Sequence, residues 1–158
     1  MQTALPTKLA PSLIDRLTDA SLDNGPSSYG YSLDQLIAAV GRDLEELLNT
    51  RQTSAGLCDD LPEAQRSLLT YGLPDPAGIE LLTPLGQHTF LRSIEKLIEQ
   101  FEPRVQHVRL VLTQPPNLQR RSIQFRIEAR LRVEPTPRVL FDAALESTTG
   151  RFRVNGSA

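Results

Sequence analysis

The chain has 158 residues, a formal net charge of −2, 39% hydrophobic residues and no tryptophan. That length suits one domain around a single core, and the near-neutral balance gives no bulk-charge argument for a nucleic-acid partner. Cys58 is the only cysteine, and with only His88 and His107 beside it this excludes an internal disulfide and a spaced zinc-ligand set.

The charge is unevenly spread. Residues 1–103 hold 7 Lys+Arg against 15 Asp+Glu, a balance of −8, while residues 104–158 hold 10 Arg against 4 Asp+Glu, a balance of +6. An acidic half is joined to a basic half, which bears on partners and orientation rather than on fold. The N-terminus lacks the apolar core of a secretory signal. No apolar run approaches the roughly 18–20 residues of a membrane span. The expectation is a soluble cytoplasmic protein without direct membrane insertion.

Residues 1–158 read as one domain in three parts. Residues 1–31 are a partly loose N-terminal segment, with a short helix over Pro11–Asp19 carrying Leu13, Ile14 and Leu17 on one face. Residues 32–103 form a helical half. Ser32 followed by Gln35 fits a capping box. Leu33, Leu36, Ile37, Val40, Leu44, Leu47 and Leu48 then recur at helical spacing. Arg42 and Glu46 stand four apart and are expected to pair. Gly41 is a weak point that a close crossing would explain. Pro62 opens a predicted short helix through Leu69, and Gly72 suits a helix C′ position. Thr83 and Pro84 cap the next helix, with Phe90, Leu91, Ile94, Leu97, Ile98 and Phe101 inward and Arg92, Glu95, Lys96, Glu99 and Glu102 outward.

At Ile98–Val105 the period changes from 3.6 to 2. Residues 104–154 read as a sheet half. Val108, Leu110 and Leu112 alternate with polar or exposed positions. Ile123, Phe125, Ile127, Ala129, Leu131 and Val133 then alternate strictly with Gln124, Arg126, Glu128, Arg130, Arg132 and Glu134. Val139, Phe141, Ala143 and Leu145 form a third inner face, and Phe152 and Val154 a short fourth. Short turns between them predict an antiparallel meander. The fold class is therefore α+β: N-terminal helices packed on one face of a C-terminal antiparallel sheet of about four strands.

Catalytic chemistry is hard to find. There is no Gly-rich phosphate loop. Glu95, Glu99 and Glu102 share a helix face, but a solvated face does not supply the cleft and contrasting environments that paired carboxylates need. Arg126, Arg130 and Arg132, with Arg109, form a basic outer sheet face interleaved with Glu128 and Glu134. It reads first as solvated, second as a binding face, and without aromatics it favours protein over nucleic acid. No catalytic residue, metal or cofactor is expected. The triplet Glu102-Pro103-Arg104 at the joint reads either as a helix stop with its own ion pair or as a projecting site.

Four stretches carry a resemblance: Pro11-Ser12-Leu13-Ile14-Asp15-Arg16-Leu17-Thr18-Asp19, Arg42-Asp43-Leu44-Glu45-Glu46-Leu47-Leu48-Asn49-Thr50-Arg51, Tyr71-Gly72-Leu73-Pro74-Asp75, and Phe101-Glu102-Pro103-Arg104 with the strands to Val154. In this order they resemble the TssE family of type VI secretion system baseplate wedge subunits. That family is similar to a wedge protein of contractile phage tails often labelled lysozyme-like. Gly41 and Gln52, Thr70 and Val105 depart locally from the pattern. The resemblance implies a non-enzymatic structural subunit linking the wedge core to the contractile sheath, in a baseplate docked at the inner-membrane complex. Its implied partners are TssF, TssG and TssK in the baseplate and TssB and TssC in the sheath.

Two sets of site residues follow. The corner Phe101, Glu102, Pro103 and Arg104 is expected to bind the wedge. The last strand, Arg151, Phe152, Arg153 and Val154, is expected to offer a free sheet edge to the sheath. Arg104→Ala is expected to weaken assembly with little loss of stability. The alternatives are a lysozyme-like peptidoglycan hydrolase and a baseplate subunit of a phage tail or other contractile particle.

Overall fold

The computed structural model describes residues 12, 15, 17, 31–52, 60–65, 67–73, 83–114, 123–145, 149 and 151–157. Most of the N-terminal segment 1–31, including Leu13 and Ile14, and residues 53–59, 74–82 and 115–122 lie outside these residues.

Helix α1 spans Leu33–Asn49. Its start is the predicted capping box: Ser32 Oγ accepts from the Gln35 backbone N–H, and Gln35 Oε1 accepts from that of Ser32. Six of the seven predicted stripe residues are buried, while Leu33 is on the surface. Helix α2 is a single turn, Pro62–Gln65, followed by a 3-10 turn at Leu68–Thr70. The predicted single helix to Leu69 is broken because Ser67 and Thr70 turn their hydroxyls onto local carbonyls of Ala64 and Gln65. Helix α3 spans Pro84–Phe101, with Thr83 as N-cap.

The sheet is a four-stranded antiparallel meander in the order β1-β2-β3-β4: β1 Val105–Leu112, β2 Gln124–Leu131, β3 Arg138–Leu145 and β4 Phe152–Ser157. The Glu134–Pro135 bond before β3 is cis. Helix α1 lies against β4 and α3 against β1. One cluster of buried apolar residues runs through both long helices and all four strands, with Phe125, Ile127, Leu131, Val139 and Phe141 fully enclosed.

Two local details decide how these layers meet. Val105 and Val108 are both buried although three residues apart, which strict alternation forbids. A bulge between Gln106 and Arg109, with His107 at φ 55, supplies the extra residue and turns both valines inward. The second is Gly156. Strand β4 is longer than predicted, and a Cβ at Gly156 would sit 2.8 Å from Phe141 and 2.9 Å from Ile37. A bare backbone there lets α1 approach β4. A Cβ at Gly41 would meet the same Phe141 ring at 3.6 Å, an ordinary contact, so the crossing does not by itself require a glycine in the helix.

Candidate assembly corner

The corner begins where α3 stops. Glu102 is the C-cap, pushed to φ −115 and ψ 85 ahead of Pro103. Its side chain was expected to face outward; instead Glu102 is buried, at 4% exposure. A bare carboxylate there would face the helix's unpaired carbonyls in a low dielectric. Arg104 resolves this. Its backbone N–H donates to Glu102 Oε1 at 3.0 Å, its Nε donates to the same oxygen at 2.7 Å, and its Nη2 meets Glu102 Oε2. The intervening turn closes when the Val105 N–H donates to the Glu102 carbonyl, with proline where such turns favour it.

The same Nη2 reaches Asp43 Oδ2 of α1, 61 positions away in sequence. The hydrogen bonds it donates to Glu102, reinforced by the Glu102 and Asp43 charges, raise the guanidinium pKa well above its ordinary value despite burial. Asp43 occupies a stripe position between Val40 and Leu47, so its side chain is half-buried and needs a cation. Arg42, beside it, turns away from the predicted partner Glu46 and pairs with Asp43 and with Asp15 at 2.7 Å. Asp15 also accepts from Ser12 Oγ. That hydroxyl first, then Tyr31 and Arg42, hold the Asp15 carboxyl below the usual range against the opposing effect of burial. Asp15 and Leu17 have the predicted helical backbone, but Leu17 is 77% exposed rather than packed.

The third stretch closes the other side. Tyr71 packs edge-on against Phe101, ring centroids 5.2 Å apart. Burial, with the charges of Glu46, Asp43 and Glu102, raises the Tyr71 hydroxyl pKa. Leu73 donates its N–H to the Thr50 carbonyl and accepts from the Gln52 N–H, a parallel bridge beside the end of α1. Gly72 sits between them at φ +105, where a Cβ would meet the Thr50 carbonyl oxygen at 2.6 Å. The C′ assignment from sequence holds. Described residues from each of the four stretches, Asp15, Arg42 and Asp43, Tyr71, and Phe101 to Arg104, thus meet at one corner.

Of the expected wedge-contact residues, Pro103 is exposed, Arg104 and Phe101 are half-buried and Glu102 is enclosed. At the other expected surface, Arg151 and Arg153 project into solvent while Phe152 and Val154 are core. The β4 edge is not bare. Asn49 of α1 donates to the Phe152 carbonyl and accepts from its N–H, and Glu45 Oε2 accepts from the Val154 N–H at 2.9 Å. Strand addition over 152–154 therefore requires displacing those side chains. The β1 edge is treated likewise: Glu95, expected to be outward, accepts from the Leu110 N–H at 2.9 Å. These seals went unread from sequence. Their only trace is a pair of polar residues, Glu45 and Asn49, one turn apart at the border of the apolar stripe.

These engagements bear on the carboxylates of α3. Glu95 and Glu102 are both held by backbone or arginine donors, and Glu99 is exposed. Among the described residues no group of three or more His, Cys, Asp or Glu is arranged to hold a metal ion. No helix of the described residues is long and apolar enough to cross a membrane.

The family model for baseplate wedge protein gp25 matches residues 34–136, more than half of the chain. The chain belongs to that family. This is the family of TssE. The match takes in α1 to β2 and the corner residues Arg42, Asp43, Tyr71, Gly72, Glu102 and Arg104, and stops before β3. No curated protein and no solved structure matches the chain. The family is a structural baseplate family, which fits a non-enzymatic subunit.

Proposed function

We propose that this protein is a structural subunit of a type VI secretion baseplate wedge, acting in the cytoplasm at the inner-membrane complex and linking the wedge core to the contractile sheath. The observation that carries the reading is the family match over the helices and corner. In this reading the corner docks on TssF and TssG, with TssK nearby. Pro103 is its exposed tip, and the Glu102–Arg104–Asp43 network holds the tip in shape. The exposed Leu68 and Leu69, on the turn beside Tyr71, add apolar area at the same end. The sheath proteins TssB and TssC meet the β4 side through Arg151 and Arg153, since the backbone edge of 152–154 is already engaged.

The test is co-expression of the tagged chain with TssF, TssG and TssK, then imaging of the recovered assembly. A stoichiometric wedge complex supports the reading. Recovery of the chain alone, with turnover of cell-wall substrate that is lost in Glu99→Gln, would replace it with a hydrolase.

A further inference from the structure

The outer face of the sheet, turned away from the core, divides in two. At one end Arg126 and Asp142 are opposite each other in the β2–β3 register, with Nε 2.7 Å from Oδ1. That pair is self-neutralising. At the other end Arg130 stands directly opposite Arg138 in the same register, and Arg109 comes up from β1 alongside. None of these three side chains has a hydrogen bond or ion pair among the described residues. Glu128 stands opposite Arg109, but no ion pair within 4.0 Å forms between them. Like charges directly opposite each other in a sheet are destabilising. Among the described residues nothing accounts for the Arg130–Arg138 pair.

Between these side chains lies an open groove of about 490 Å³, floored by Leu140 and rimmed by His107 on the bulge. Three guanidinium groups and an imidazole thus face one carboxylate. A guanidinium fork matches a carboxylate in two parallel hydrogen bonds. No Phe, Tyr or Trp lines the groove to stack a base.

We propose that this groove binds an acidic segment of a partner protein, its carboxylates seated on Arg130, Arg138 and Arg109. The site lies on the sheet face rather than at the helix–sheet corner, so it stands whether or not the wedge assignment does.

The test uses the full chain and a labelled oligo-glutamate peptide, followed by fluorescence anisotropy, with single-stranded DNA of equal charge as the second probe. The Arg130→Gln/Arg138→Gln double variant is expected to lose about tenfold or more in peptide affinity. Arg126→Gln, from the neutralised pair, is expected to change it by less than about twofold. The double variant's melting temperature is expected to equal or exceed the wild type's, because a repulsion is removed. Equal losses in both variants would reduce the effect to bulk charge and overturn the proposal. So would tighter binding of DNA, a marked fall in melting temperature, or a self-associated form that the double variant dissolves, which would assign the groove to a second copy.

Discussion

The corner and the outer sheet face both depend on arginines, and they use them in opposite ways. Arg104 is bound to Glu102 and Asp43, and Arg42 to Asp15 and Asp43, so the corner carries its own counter-charges. Arg130 and Arg138 face each other on adjacent strands, with no acid bound to either among the described residues. Burial explains the difference. A carboxylate as enclosed as Glu102 must be matched by the fold itself, whereas exposed guanidiniums are solvated and can remain unmatched at small cost. Charge inside the chain thus builds shape at the corner, and charge left over on the sheet is available to a partner.

The sharpest way to break this contrast is Arg104→Ala. It leaves Glu102 buried without its cation and should cost about 3 kcal/mol, lowering the melting temperature by roughly 6–12 °C for a chain of this size. This reverses the sequence-based expectation of a stable variant, because the burial of Glu102 was not visible there. A fall of under about 2 °C would mean that the pair is not structural. Gly72→Ala comes next. With φ +105 and the Thr50 oxygen in the way, it should cost about 1–3 kcal/mol by urea denaturation. Asn49→Ala should cost about 1–2 kcal/mol, with faster hydrogen exchange at Phe152 as its local signature.

The acid limb should show a smaller effect. The Asp15 pKa is lowered in the fold, so its contribution is present above the ordinary carboxylate range. It is lost as pH falls through that range to the lowered value. Asp15→Asn should flatten that part of the stability–pH curve and leave the neutral-to-alkaline part unchanged in shape. The smallest expected change is for Arg138→Gln, within about 0.5 kcal/mol of wild type and on the stabilising side.

Much of the fold was legible because its elements obey their periods. The strict alternation of β2 and the cap residues Ser32, Thr83 and Pro84 sufficed for the α+β assignment and the meander. The corner was legible as a location and, in one of its two readings, as a helix stop with its own Glu102–Arg104 ion pair. That Arg104 also reaches Asp43, 61 residues away, was not legible, because no local pattern encodes such a meeting. Arg42 illustrates the same limit: its i+4 neighbour Glu46 was the local choice, yet Asp15 and Asp43 took it. The edge seals by Asn49, Glu45 and Glu95 escaped because a polar residue at a stripe border looks like any solvated one. Gly156 likewise gave no sign, since its requirement arises from Phe141 and Ile37.

In the proposed function the folded corner presents Pro103 to the wedge core. Pro103→Lys places a charge on the exposed tip while leaving Glu102, Arg104 and Asp43 intact. The decisive measurement is capture of TssF and TssG by this variant, with its melting temperature taken on the same preparation. The account predicts a folded variant melting within about 3 °C of wild type and a capture reduced about tenfold or more. Undiminished capture by the folded variant would contradict it.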